Sequence, residues 1–328
     1  MTTTKRKLTF LKIIRNIFVF FVVVCLIWAV FHHTKTAFEQ KKYKPIGQLV
    51  EVDGKNMHVY SKGDGENTVV LLSGLGTTAP ALDFEPLVNE LAKQNKVVVI
   101  ENFGYGWSDI TNRERTVENI VGEIRDALKK ANIEGPYILM PHSISGIYSM
   151  YYANQFPDEV KAVIGIDITL PRAIQYFNES APTMPQYLRY VAPTGIARLA
   201  VYLAPDNFLP LAEEDTYSEE NLKMTKAISA WRGYNKNVVA EANEINNNID
   251  KTVELNFPND MPVLIFTTKE DKVNEEGKSN VTFYETQLSN HSSSKIVTFE
   301  GHHYLHWTRY KEMNEHVTKF TKTIENQR

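Results

Sequence analysis

The chain has 328 residues, of which 43% are hydrophobic and 23% charged, enough for one large domain or a domain carrying an insertion. Its formal net charge of -3 is unevenly spread: residues 1–42 hold eight Lys/Arg and one acid, leaving 28 basic against 38 acidic side chains beyond them. That acidic remainder has no basic stripe for phosphates and argues against nucleic acid as a partner, and a single cysteine, Cys25, excludes both an intrachain disulfide and a cysteine metal cage.

From Ile17 to Phe31 no polar residue occurs. Residues 13–33 predict a transmembrane helix, close to the roughly 20 residues a bilayer requires. The competing reading is a cleaved signal peptide, whose apolar core runs to about 7–15 residues and ends at small residues. The sequence FHHTKTAF that follows is a poor cleavage site, which favours a retained anchor. Lys5, Arg6, Lys7, Lys12 and Arg15 precede the span, so residues 1–12 are expected in the cytoplasm and the bulk of the chain outside the cell membrane. Lys35, Lys41 and Lys42 on the far side weigh against that orientation. Residues 34–46, polar and ending in Lys44-Pro45, suggest a short linker.

Beyond residue 46, short β-branched runs alternate with helical stretches, which predicts α/β layers. QLVEVDGKNMHVY reads as two strands joined at Asp53-Gly54, a strong hairpin signal. Buried strands are predicted at Thr68–Leu72, Val97–Ile100, Tyr137–Met140, Ala162–Ile166, Pro262–Phe266 and Lys295–Phe299. Amphipathic helices are predicted at Glu85–Lys93, Val117–Ala131, Ser145–Gln155, Gly277–Leu288 and Lys311–Ile324. The interval 170–259 breaks this rhythm and is too long for a bare loop. It reads as a helical cap over the catalytic end of the sheet, inserted between two parts of the core, 47–169 and 260–328.

The stretch YILMPHSISGIY carries a strand into a helix through Ser143. Two readings fit: a serine capping the helix, or a nucleophile elbow of the G-x-S-x-G kind. Other segments favour the second. Ser73-Gly74-Leu75-Gly76 forms a glycine-rich turn after one strand, and ENFGYGWSD follows the next; neither has the G-x-G-x-x-G spacing of a dinucleotide site, and no cofactor is expected. Asp271 follows a buried strand in PVLIFTTKEDKV, and His303 follows the last strand in VTFEGHHYLHW. The order Ser, Asp, His, each at a strand's end, suits a hydroxyl that needs an oriented base.

On these residues the chain resembles the α/β-hydrolase fold superfamily from about residue 47 to 325. The elbow HSISG is similar to the family's G-H-S-x-G-G, although Pro141 and Ser145 stand for glycines and Ser73 for a histidine. The resemblance implies a mostly parallel sheet with helices on both faces, Ser143 as nucleophile, Asp271 as acid and His303 as base. It also implies an oxyanion hole from the backbone N–H groups of Leu75 and Ile144. Asp167, at the end of its own strand, is a rarer position for the acid. His302 and His306 stand four apart, a metal-like spacing, but lack the carboxylate of H-E-x-x-H, so no metal is expected. His58 and His142 read as structural.

A serine at the elbow argues against the dehalogenase and epoxide hydrolase branches, which use aspartate there. The expected activity is hydrolysis of an ester or related acyl bond in a small, lipid-like acyl substrate. Acyl transfer on the same residues and a non-catalytic binding role are the alternatives. Nothing in the sequence fixes the oligomeric state.

Overall fold

In a computed structural model, residues 2–269 and 277–327 are described. The eight strands are β1 (Gln48–Val52), β2 (Lys55–Lys62), β3 (Thr68–Leu72), β4 (Lys96–Glu101), β5 (Tyr137–Pro141), β6 (Val160–Ile166), β7 (Val263–Thr268) and β8 (Lys295–Phe299). They form one sheet in the order β1-β2-β4-β3-β5-β6-β7-β8. β2 is antiparallel to both neighbours, and every other adjacent pair is parallel. A parallel interior of this kind is covered on both faces, and the strand sequences show it. Along β3, Val70 and Leu72 join one core and Val69 and Leu71 the other; Val98 and Ile100 alternate with Val97 and Val99 along β4 in the same way, the period of two that a pleated strand imposes.

Twelve α-helices are described. α1 (Thr2–Lys42) precedes the sheet; α2 (Pro80–Asp83), α3 (Glu85–Leu91), α4 (Val117–Lys130) and α5 (Ser145–Gln155) connect its strands. Between β6 and β7 lie α6 (Ala173–Phe177), α7 (Ile196–Leu203), α8 (Glu219–Arg232) and α9 (Lys236–Thr252), followed by α10 (Asn280–Glu285), α11 (Leu305–Thr308) and α12 (Tyr310–Glu325). α4 buries Ile120, Val121, Ile124, Ala127 and Leu128, one helical stripe, and Thr116 caps it by accepting from Asn119 N–H. Helices α4 and α5 pack into one core; α3 and α12 pack into the other.

Two elements differ in extent from their sequence reading. The helix expected over 277–288 is confined to Asn280–Glu285. α1 does not stop at residue 33 but runs on through Lys42, so residues 34–42 of the stretch read as a linker form its last turns. Glycine and proline are absent from residues 2–42, and Lys35 and Glu39 pair one turn apart, which leaves nothing to break the helix before Pro45. The large apolar side chains of α1 from Phe10 to Phe31, apart from the half-buried Trp28, are exposed, and the helix is long and apolar enough to cross a membrane.

Candidate active site

β5 ends at Pro141, and the chain turns at once into α5. Ser143 sits in the turn with φ 53°, a left-handed conformation that L-residues adopt only when the surroundings enforce it. His142 N–H bonds Leu72 O and Ser143 N–H bonds Ile166 O, so neighbouring strands hold the turn from both sides. The glycine-rich turn after β3 packs directly on it. A Cβ at Gly74 would lie 2.9 Å from His142 Nδ1 and 3.0 Å from Ser143 Cβ, which explains the glycine. Ser145, standing where the family carries glycine, donates its hydroxyl to Ser73 O at 2.5 Å. Among the described residues, the backbone N–H groups of Leu75 and Ile144 have no acceptor.

His303 follows β8, and its Nδ1 lies 2.7 Å from Asp167 Oδ2. Asp167 is the first residue after β6 and is itself held in a left-handed turn at φ 42°. Its other oxygen accepts the Thr267 hydroxyl at 2.7 Å, and its N–H bonds Phe266 O. Among the described residues, the carboxylate partner of His303 is therefore the residue after β6. Asp271, which the sequence suggested for this role, lies outside the described residues. Because β6 and β7 are adjacent in the sheet, a carboxylate following either strand starts from the same rim, and sequence order alone does not choose between them.

Ser143, Ile144, Leu75, Asp167 and His303 line one cavity of about 320 Å³, closed by apolar side chains including Ile168, Phe177 and Ile245. Leu75 also lines a second cavity of about 430 Å³ beneath α7. The described hydrogen bonds include none from the Ser143 hydroxyl. Catalytic hydrogen bonds of this type commonly shorten only when substrate is seated.

Three other histidines, His142, His306 and His58, are accounted for by packing. His142 is buried, and its Nε2 lies 3.1 Å from His303 O, a carbonyl to which a ring N–H donates. Burial holds its pKa well below that of a free imidazole, and His306 and His303 add to the effect. His306, also buried, has Nε2 2.7 Å from Asp83 Oδ2, while Trp307 donates to Asp83 Oδ1 at 2.9 Å. His58 places Nδ1 3.0 Å from the buried Glu101 and accepts from Gly47 N–H.

One group carried no sequence signal. Glu241, on α9, is buried among the Tyr105 and Tyr148 hydroxyls, which donate to its two oxygens at 2.8 and 2.9 Å. Tyr105 in turn accepts from Gly76 N–H at 3.2 Å. The chain of bonds thus runs from the cap through the loop after β4 to the turn that carries Leu75, with Tyr148 adding α5. Burial pushes the Glu241 carboxyl up, while Arg115 and the two hydroxyls pull it the other way. A lone Glu in a helical pattern reads as solvated surface; only the tertiary fold brings two tyrosines to it.

A family model described as the α/β-hydrolase fold matches residues 67–310. The chain belongs to the α/β-hydrolase family. It is 32% identical to YbdG of Bacillus subtilis, described as uncharacterized, over 316 residues that cover 90% of this chain and 93% of that one. Among solved structures, the α/β-hydrolase fold recurs in an epoxide hydrolase from Vigna radiata, with a TM-score of 0.63 at 18% identity, covering 84% of this chain and 97% of that one. It recurs also in a thermophilic esterase from Thermogutta terrifontis, with a TM-score of 0.58 at 16% identity and coverage of 84% and 98%. At such identities the likeness extends to the fold.

Proposed function

We propose that this α/β-hydrolase is a membrane-anchored serine hydrolase that cleaves an ester or related acyl bond. Ser143 attacks the acyl carbon as His303 takes its proton, and Asp167 orients the imidazole and stabilises the imidazolium. The N–H groups of Leu75 and Ile144 receive the developing oxyanion, each worth on the order of 10²–10³ in rate. His303 then protonates the leaving alcohol, and water activated by the same imidazole releases the acid and restores the serine. The α1 helix holds the chain at the membrane.

The observation that carries this reading is the 2.7 Å contact between His303 and Asp167 on the wall of the cavity that Ser143 also lines. A fluorophosphonate probe tests it. The full chain is expected to label, and Ser143→Ala to stay unlabelled. A wild-type chain that resists the probe overturns the enzyme reading. The acid is tested by p-nitrophenyl ester hydrolysis: Asp167→Asn is expected to lose on the order of 10²–10⁴ in kcat, and Asp271→Asn to stay within a few-fold of wild type. The opposite pattern would return the role to Asp271.

A further inference from the structure

The cap does not stand free of α1. Trp28, within the apolar run, donates its indole N–H to Thr194 O at 3.1 Å. One helical turn and more toward the C-terminus, Arg198 on α7 reaches back to α1. Its guanidinium bonds both oxygens of Glu39 at 2.9 and 2.7 Å, Thr36 Oγ1 at 2.8 Å and His32 Nδ1 at 3.2 Å. Arg198, Glu39 and His32 are all buried in this contact. Gly195 makes the approach possible, since a Cβ there would sit 2.7 Å from the His32 ring and 2.9 Å from Trp28 Nε1.

This clasp fixes the height of the cap. At about 1.5 Å per residue, Trp28 lies roughly 7 Å inside a span that ends at residue 33, so Thr194 is held at the level where acyl chains meet headgroups. The residues around it are those an interface accepts. Tyr187, Tyr190, Ile196, Leu199, Tyr202 and Leu203 are 45–77% exposed, and no charge other than the buried Arg198 occurs in Ile196–Leu203. Apolar and tyrosine side chains at this depth match a surface that lies about 5–10 Å into the headgroup boundary. The adjoining flank of α7, with Ile196, Ala197 and Ala200, lines the 430 Å³ cavity that reaches Leu75.

We infer that the outer face of α7 is seated in the adjoining membrane leaflet, and that a bilayer lipid bearing the acyl ester enters sideways beneath α7 toward Ser143. Both halves of this inference rest on the membrane-anchor reading of α1, and the second rests also on the hydrolase reading above. The occupant of the exposed face is the acyl layer of the bilayer, because that face continues from the membrane helix to which it is bonded.

The test uses the full chain in proteoliposomes of phosphatidylcholine and phosphatidylglycerol, with Cys25→Ser removing the native thiol. An environment-sensitive dye is attached at position 203 in Leu203→Cys, or, as control, at position 129 in Lys129→Cys on α4. Doxyl-labelled lipid is expected to quench the dye at 203 strongly and the dye at 129 weakly. Equal quenching overturns the seating. In the same vesicles, Leu199→Glu with Leu203→Glu is expected to slow hydrolysis of a long-chain ester held in the bilayer about tenfold or more. Hydrolysis of a short water-soluble ester should stay within about twofold. Equal losses on both esters, or no loss on either, overturn lateral entry. A wild-type chain that cleaves neither ester overturns the hydrolase reading and lateral entry with it, while the quenching still decides the seating.

Discussion

His142 shows how one buried side chain writes itself into the stability of the fold. Its ring is neutral in the native state, whereas in the unfolded chain it titrates near about 6.5. Unfolding in mild acid therefore takes up a proton, so this residue's contribution is complete above about pH 6.5 and is lost as the pH falls through the window between the two values. His142→Gln keeps a donor for His303 O and removes the titration. In urea unfolding of the detergent-solubilised chain, its stability is expected to vary less between about pH 6.5 and 5 than that of wild type. An unchanged slope would show that other groups govern the acid limb. The same neighbourhood shows what a sequence can and cannot tell. Ser143 is legible because a strand must end in a sharp turn for its hydroxyl to stand clear, and His303 because it follows the last strand. The choice between Asp167 and Asp271 is not legible, since both follow adjacent strands and only side-chain placement says which carboxylate meets the imidazole. Ser145 looks like a departure from the family pattern, yet its hydroxyl bonds Ser73 O, a contact that no spacing rule reveals.

At the level of elements, the strands and long helices were readable because burial on alternate faces and along helical stripes leaves a period in the sequence. The cap was readable as an interruption but not in its attachments, several of which are side chain to backbone. Asn237 bonds both the N–H and the carbonyl of Thr111, and Asn248 spans Val117 N–H and Arg115 O. Arg232 adds bonds to Gly106 O and Ser108 O. These ties make α8 and α9 a fixed roof. Within it, Glu241 joins the cap through Tyr105 to the turn that carries Leu75. Glu241→Leu strands two buried hydroxyls, and each should cost about 1–3 kcal/mol of stability. Tyr105→Phe removes the acceptor of Gly76 N–H and loosens the turn that carries Leu75. It is expected to lower kcat about tenfold with little change in KM, and a change confined to KM would argue against this positioning role.

For the molecule as a whole, the decisive element is α1. The full chain is expected to remain with the membrane fraction after an alkaline carbonate wash and to be released by detergent. Appearance of a shorter soluble form lacking α1 would favour the cleaved-signal reading instead. The apolar run announced this helix, but its length did not follow from hydropathy. The turns beyond residue 33 are polar and read as a tether until the bonds to Arg198 are seen.

That unbroken rod, joined at its C-terminal end to the cap, would deny a membrane-anchored chain the swing of a ball on a string. With α1 spanning the bilayer as proposed, the site around Ser143 would travel in a plane at constant elevation, and encounters would obey two-dimensional statistics. Turnover would then scale with the mole fraction of substrate among its neighbours, and spreading the same amount over more inert amphiphile would slow it even when the bulk concentration is unchanged.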